Sequence, residues 1–509
     1  MTLAKDHLPM NPGTLRLSLA ALLAALLPAC GGGDAPPAAT SSTASALRHY
    51  GSLAFEPCTL TGVAGNVAAQ CSHLEVPEDR NAPDGRQLRL SLAWLPAEDD
   101  MAAEAPVFFL AGGPGQSALE VWPQVDPAFA QVRRQRHVVL VDQRGTGGSN
   151  PLDCSLPDDA VQHDEAAIAA LVRGCVTALA DRADTRFYTT TDAVADLDAV
   201  RQAIGAERLD LVGVSYGTRV AQQYARRHPA HVRSLVLDGV APNDLVVGGE
   251  FAHTFEDALK LQSARCRDLP TCAERFPQDA RAQLATLVAR LEAAPVQVEY
   301  RDPASAQVLQ GTVDADTVIG LAFLFSYMPE TAALLPLVLD EAAAGRYAPL
   351  MSLYELMKRG TVGGITRGMQ WSVICAEDAD RHRERDSDRD TLLGPEVARM
   401  FFAACAHWPH GERPADFTAP LESDVPALLL SGELDPVTPP RYAEQVLQGL
   451  PNGRHLVLRG QGHGALARGC MPRLLGQFLE STDAAALDAG CLDSFSYVPP
   501  FTSFNGWEP

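Results

Sequence analysis

Four short apolar runs mark the first half of the chain: Val107-Phe108-Phe109-Leu110, Val138-Val139-Leu140-Val141, Leu209-Asp210-Leu211-Val212 and Leu235-Val236-Leu237. Short runs without a polar alternation predict strands covered on both faces. From about Tyr50 onward such runs alternate with helical patterns, so the fold class is α/β, a mostly parallel central sheet with helices on both faces. Two helices are sharply signalled. Residues 192–204 repeat apolar positions at helical spacing, open on Thr191 or Asp192 as cap and stop at Gly205; residues 216–228 end before Pro229. Beyond about residue 248 the strand signal fades into Ala-, Leu- and Arg-rich helical patterns such as residues 280–294. Sheet-like sequence returns with Ala427-Leu428-Leu429-Leu430 and Leu456-Val457-Leu458, which makes the stretch between an insertion, and no internal repeat is visible.

The N-terminus has a different texture. Arg16 precedes an apolar run at 17–27, followed by Pro28-Ala29-Cys30 and a Gly-rich stretch. The run is too short to span a bilayer and suits a signal-peptide core, with Met10 as an alternative start that leaves Asp6 outside. A small residue before Cys30 resembles a lipobox, which implies a lipid on a new N-terminal cysteine; simple secretion is the alternative. The organisation read along the chain is then a signal peptide at 1–30, a flexible tether at 31–48, the N-terminal part of an α/β core at 49–247, a helical cap or lid at 248–414 and the C-terminal part of the core at 415–509. The tether is Gly, Ala, Pro, Ser and Thr, with too little apolar surface to fold.

Composition narrows the setting. A hydrophobic content of 46% is that of a globular chain, and the net charge of −22, spread over scattered Asp and Glu, disfavours nucleic acid as a partner. Of 11 cysteines, all but Cys30 fall into sequence-adjacent couples: Cys58 with Cys71, Cys154 with Cys175, Cys266 with Cys272, Cys375 with Cys405, and Cys470 with Cys491. In an exported chain these read as disulfides rather than metal ligands, so no metal is expected, although ten cysteines allow many other connectivities.

The chemistry centres on Gly213-Val214-Ser215-Tyr216-Gly217, placed directly after a predicted strand and before a predicted helix. A serine hydroxyl is a poor nucleophile at neutral pH and needs a base, a group orienting that base and donors for the oxyanion. His463, in Gly460-Gln461-Gly462-His463-Gly464 after the last strand, is the expected base. Asp435, after the strand at 427–430, is the expected acid; Asp238, after the strand at 235–237, is the rival. Thr438 is read as a cap for the next helix, with Pro439 at its first position, and Glu433 as structural. Oxyanion donors are expected from the backbone N–H of Tyr216 and of Gly113, since Pro114 has none.

Together, Ala111-Gly112-Gly113-Pro114-Gly115, Asp142-Gln143-Arg144-Gly145-Thr146-Gly147-Gly148-Ser149, the Ser215 elbow and the Asp435 and His463 loops resemble the secreted tripeptidyl aminopeptidase and prolyl iminopeptidase branch of the α/β-hydrolases, over residues 55–492. Where that family often has a His before the glycines, this chain has Ala111. The resemblance implies a serine aminopeptidase acting on peptides with a free N-terminus, releasing a tripeptide or a terminal proline through an acyl-enzyme on Ser215, without a cofactor. It also implies a tripeptidyl-aminopeptidase-like C-terminal module. In the Asp142-Gln143-Arg144-Gly145 loop, Arg144 reads as a scaffold clamp held by carboxylates or carbonyls. A free-amine substrate calls for a carboxylate, and Glu377 and Asp378 are the candidates, delivered by an apolar stretch beside Cys375. The expected location is the periplasm or cell surface as a lipoprotein attached to the membrane through Cys30, or else secreted. A carboxylesterase or lipase is the alternative on the same fold, and a non-catalytic binding lipoprotein a third reading.

Overall fold

The computed structural model describes residues 47–62, 64–99, 105–154, 165–359 and 364–507. The signal peptide, Cys30 and the tether up to residue 46 lie outside them. Twelve strands are formed among the described residues: β1 (Arg48–Tyr50), β2 (Leu53–Gly62), β3 (Gly65–Pro77), β4 (Gln87–Leu95), β5 (Val107–Leu110), β6 (Val138–Val141), β7 (Leu209–Val214), β8 (Val232–Asp238), β9 (Val296–Arg301), β10 (Val308–Val313), β11 (Ala427–Gly432) and β12 (Gly453–Leu458). Ten of them make one sheet in the order β1-β2-β3-β4-β6-β5-β7-β8-β11-β12. From β6 to β12 in that order neighbouring strands run parallel, while β1 to β4 and the β4–β6 pair are antiparallel.

The apolar runs form these strands because successive side chains serve two different cores. Phe108 and Leu110 join one hydrophobic cluster and Val107 and Phe109 the other; Leu235 and Leu237 alternate with Val236 in the same way. One cluster is closed by the helices Thr190–Ala203 and Tyr216–Arg227, the other by Ala118–Val125 and Met471–Ser481. With helices on both faces, the strand ends are left as the places for chemistry, and the loops after β5, β7, β8, β11 and β12 lie at the same, carboxyl, edge of the sheet.

Three local readings are corrected. The helix expected at 192–204 starts earlier, at Thr190, and its cap is Thr189, whose hydroxyl accepts from Asp192 N while the Asp192 carboxylate accepts from Thr189 N. Residues 48–95 hold four antiparallel strands without an intervening helix; their half-exposed alternation, as in the β2 sequence, is the pattern of a sheet with one wet face. Between β8 and β11 the chain is not purely helical: β9 and β10 pair as a hairpin on the alternation Val296, Val298, Tyr300.

That long excursion has two parts. Residues from Phe255 to Met351 build a hydrophobic cluster of their own, whereas Met369, Trp371, Val373, Ile374 and Trp408 pack into the main core. Among the described residues no helix is long and apolar enough to cross a membrane.

Of the connectivities open to ten cysteines, the structure adopts the sequence-adjacent one throughout. Cys58 is bonded to Cys71 across the β2–β3 pair. Cys154 is bonded to Cys175, which joins the end of the loop after β6 to the helix Glu165–Leu179. Cys266 is bonded to Cys272, and Cys375 to Cys405, both within the excursion. Cys470 is bonded to Cys491, which ties the start of the helix Met471–Ser481 to the 3-10 turn Gly490–Ser494. None of these ten cysteines is left as a free thiol or a metal ligand, and five disulfides fit an oxidising compartment outside the cytoplasm.

A buried charge cluster fixes the loop after β6. Arg144, with no exposed surface, donates Nε and Nη2 to the two oxygens of Asp196, each at 2.6 Å, and Nη1 to the carbonyls of Glu78 and Phe187 at 2.9 and 2.7 Å. Removing one partner leaves an uncompensated buried charge, so Asp196→Ala is expected to cost about 3–5 kcal/mol of folding stability. Denaturant unfolding of the two proteins measures it, and a loss below about 1 kcal/mol contradicts the clamp.

Candidate active site

The turn from β7 into the helix Tyr216–Arg227 is built around a residue in an unusual conformation. Ser215 has φ 56° and ψ −124°, in the region that costs a non-glycine residue about 1–3 kcal/mol. Its neighbours over-determine that geometry. Ser215 N donates to Asp238 O at 2.8 Å, and Ser215 O accepts from Thr218 N at 2.9 Å and Thr218 Oγ1 at 2.6 Å. The glycines are sterically required: a Cβ on Gly213 would lie 2.4 Å from Gly217 O, and one on Gly217 would lie 2.2 Å from Leu110 O.

Around Ser215 lies a cavity of about 290 Å³. Gly112, Gly113, Tyr216 and His463 share its wall with Ser215, so the residues expected as nucleophile, base and oxyanion donors open on one space. Tyr216 is the first residue of its helix, and its N–H therefore has no intrahelical acceptor. Gly113 has φ 108°, a left-handed conformation suited to glycine.

His463 Nδ1 lies 2.7 Å from Asp435 Oδ2, and Asp435 Oδ1 accepts from Val437 N at 2.9 Å and Thr438 N at 2.8 Å. Burial pushes the Asp435 carboxyl up, but the His463 charge and these hydrogen bonds outweigh it and hold the group below its ordinary value. Burial pushes the imidazole of His463 down; the Asp435 charge and hydrogen bond outweigh that and raise it above 6.5. Thr438 is not the helix cap, because Pro439 holds that position. Its hydroxyl instead donates to Asp435 Oδ2 at 2.8 Å and lies 3.0 Å from His463 Nδ1, a placement that its sequence context does not signal. The rival Asp238 is turned to another task. Its oxygens accept from Ala465 N and Leu466 N at 2.8–2.9 Å, which anchors the loop just past His463, and burial raises its carboxyl to about 6.

The loop after β6 braces both oxyanion elements. Asp142 accepts from Ser117 Oγ at 2.6 Å, Leu119 N at 3.1 Å and Gly148 N at 2.9 Å, which holds the helix that follows Gly112-Gly113-Pro114-Gly115. Gln143 Nε2 donates to Tyr216 Oη at 3.2 Å. Segments of the excursion close the site from above. His463 N donates to Tyr327 O at 2.8 Å, and Thr366 N to Gly115 O at 2.8 Å.

Glu377 and Asp378 do not reach this cavity. Both are fully buried, and their carboxylates are taken up inside the protein. Glu377 accepts from Thr190 N and Oγ1 at 2.7 and 2.9 Å; Asp378 pairs with Arg219 Nη1 at 3.0 Å and Arg381 Nη2 at 2.6 Å. Neither residue thus stands on the cavity wall where the expected amine-binding role needs it. The carboxylate among the described lining residues is Glu250, paired with Arg385 Nη1 at 3.0 Å. The remaining wall is largely apolar, with Val121, Val125, Leu245, Val246 and Phe251. Glu433 accepts from Gly460 N and Tyr497 Oη at 2.9 and 2.8 Å, ties that brace the Asp435 and His463 loops. No group of side chains that could hold a metal ion occurs among the described residues.

Fold and site define an α/β hydrolase with a serine at its elbow. A model of the α/β-hydrolase fold matches residues 105–303, and a model described as TAP-like protein matches residues 390–491. The chain thus has the α/β-hydrolase fold, followed by a TAP-like C-terminal region. The serine protease Hip1 of Mycobacterium tuberculosis (strain ATCC 25618 / H37Rv) is 27% identical over 438 residues, covering 79% of this chain and 82% of Hip1. Tripeptidyl aminopeptidase of Streptomyces lividans is 30% identical over 188 residues, 34% of this chain and 35% of that protein. The crystal structure of proline iminopeptidase from Mycobacterium smegmatis aligns over 82% of this chain and 100% of its own, with 17% identity and a TM-score of 0.40.

If His463 is the base, as expected, it must be neutral to accept a proton, so its raised pKa places the acid limb of the pH–rate profile above 6.5. Asp435→Asn removes the largest raising influence and leaves burial opposed only by the Asp238 charge. The limb is expected to move to lower pH and kcat to fall by about 10³–10⁴-fold. An unmoved limb in the kcat/KM profile counts against the pairing.

Proposed function

We propose that this chain is an exported serine aminopeptidase that releases a tripeptide or a terminal proline from peptides with a free N-terminus. The observation that carries the reading is the single cavity onto which Ser215, His463, Gly113 and Tyr216 all open. The likeness to a serine protease along most of the chain supports it.

In this reading His463 Nε2 takes the Ser215 hydroxyl proton as Oγ bonds to the carbonyl carbon, while Asp435 fixes the imidazole through Nδ1–H. The N–H groups of Gly113 and Tyr216 receive the negative oxygen. Collapse breaks the C–N bond, and the leaving amine takes the proton from His463. A water then attacks the ester, giving its proton to His463, which returns it to Ser215 as the peptide acid leaves. The segment at 248–414 acts as the lid over this chemistry.

Glu250 is the group we assign to the substrate ammonium in place of Glu377 and Asp378. Its carboxylate stands on an otherwise largely apolar wall, where a substrate ammonium makes a charge-assisted hydrogen bond to it alongside its pair with Arg385. Glu250→Gln is expected to raise KM for free-amine tripeptidyl amides about tenfold, the loss of one charge-assisted contact, with little change for N-acetylated peptides or aryl esters. Equal effects on all three substrates reject the assignment. Ser215→Ala provides the background. Ser215-dependent turnover of esters without any amide turnover moves the reading to a carboxylesterase.

Export is supported by the five disulfides, and in this reading Cys30 becomes the lipid-bearing N-terminus that holds the enzyme at the periplasmic membrane or cell surface. Mass spectrometry of the mature protein is expected to find a diacylglyceryl group on Cys30. An unmodified start beyond it leaves secretion.

A further inference from the structure

Glu377 is a costly residue to keep. It has no exposed surface, lies outside the cavity, and burial, followed by the Arg219 and Asp378 charges with opposing signs, brings its carboxyl to about 7. An apolar residue would fill the space without desolvating a charge. What the carboxylate holds is a chain of hydrogen bonds that ends beside the nucleophile. Thr190 N–H donates to Glu377 Oε1 at 2.7 Å and the Thr190 hydroxyl to Oε2 at 2.9 Å. With that hydroxyl proton committed, the Thr190 oxygen is left as the acceptor for Tyr216 Oη–H at 2.6 Å, and Tyr216 Oη in turn accepts from Gln143 Nε2 at 3.2 Å.

With Glu377 ionised, as it is above pH about 7, every donor in this sequence points the same way, from Gln143 through Tyr216 and Thr190 to Glu377, because the carboxylate has no proton to give. Arg219 Nη1, 3.8 Å from Glu377 Oε2, favours that ionised state. Tyr216 is 2% exposed, so its ring is gripped by packing along its length and by hydrogen bonds at its tip. The same residue carries the N–H that opens on the cavity directly after Ser215.

We propose that Glu377 is a positioning residue for the oxyanion site, fixing the Tyr216 N–H through Thr190. The inference rests on Ser215 being the nucleophile, and on nothing about peptide length or amine recognition.

A glutamine at 377 reverses the order. Its carbonyl still accepts from Thr190 N, but its NH₂ donates to Thr190 Oγ1, the threonine proton turns to Tyr216, and the phenol proton loses its acceptor. Tyr216→Phe removes the tip contact while keeping ring and N–H. The experiment measures kcat and KM for Glu377→Gln, Tyr216→Phe and the double variant on a free-amine tripeptidyl amide and on an aryl ester, per active site titrated with a fluorophosphonate. Titration removes misfolded protein from the count. Each single variant is expected to lose roughly 10- to 100-fold in kcat on both substrates, the scale of a misplaced reacting geometry, with KM within about twofold, and the double variant is expected to lose no more than the worse single one. Unchanged kcat per titrated site reduces Glu377 to a structural role and overturns the proposal. A rise in KM confined to free-amine substrate makes it an amine anchor, and additive losses uncouple it from Tyr216; either result also overturns it. Because the ester arm reads the relay without any peptide being cut, failure of the aminopeptidase reading is distinguishable from failure of this one.

Discussion

Ser215 sits at positive φ in a place where β7 and the following helix approach so closely that Gly213 and Gly217 have no space for a side chain. The strain is small against the total stability of a domain but large for one residue, and it persists because neighbouring groups hold it. Asp238 O takes the serine N–H, and Thr218 takes the serine carbonyl with both its N–H and its hydroxyl. Thr218 Oγ1 then accepts from Ala241 N at 2.8 Å, which passes the constraint on to the loop after β8. The side chain of Asp238, on the same residue whose carbonyl grips Ser215, holds the loop past His463. One residue at the end of β8 thus ties the proposed nucleophile to its proposed base through backbone on one side and carboxylate on the other.

Buried charge forms the next layer of support. Arg144 and Arg219 are both fully buried, each opposite carboxylates, and each secures a loop that the sheet alone leaves free. Arg144 joins the loop after β6 to Glu78, just past β3, and to the 3-10 turn before the helix Thr190–Ala203. Arg219 and Arg381 between them donate to the carbonyls of Pro242, Asp244 and Leu245, which shapes the cavity wall at Leu245 and Val246. Asp378 is what keeps those two arginines together. The pair Glu377–Asp378 therefore serves two ends of one site from behind, the elbow by one residue and the wall by the next.

Much of this is legible in the sequence, and the illegible parts have a common cause. The parallel strands show because burial on both faces leaves few polar residues in the run, and the elbow shows because close backbone approach demands glycine at fixed spacing. His463 and Asp435 can be proposed because each follows a strand at the carboxyl edge. The cysteines pair as read because each couple is close in sequence, so neighbouring elements bring Cys58 to Cys71 or Cys470 to Cys491 without help from the rest of the fold. Glu377 and Asp378 are wrongly placed on the cavity because a chain reading ranks carboxylates by neighbours in sequence, whereas the partners that consume them, Thr190 and Arg219, lie 187 and 159 residues away. Thr438 looks like a cap for the same reason: the pattern Thr-Pro-Pro fits a helix start, and nothing local reveals that an imidazole 25 residues on competes for its hydroxyl. The antiparallel strands at 48–95 are hidden by their wet face, which spaces apolar residues widely enough to mimic other patterns.

The excursion between β8 and β11 is more than a cover. Two of its contacts with the core fall on the two loops where geometry matters most. Tyr327 takes the backbone N–H of His463 and sets its ring edge-on to the imidazole at 5.5 Å. At the other side Ile365 forms an antiparallel bridge with Gln116, and Thr366 N–H binds Gly115 O, in the loop that carries Gly113. Gly115, at φ 107°, leaves no space there for a side chain, since a Cβ would lie 2.8 Å from Thr366 O. Movement of the excursion away from the core would break hydrogen bonds to the proposed base and to the oxyanion loop together. If the excursion acts as the proposed lid, access to the cavity and the arrangement of the groups inside it are one variable, so a substrate that holds it down also completes the site that acts on it.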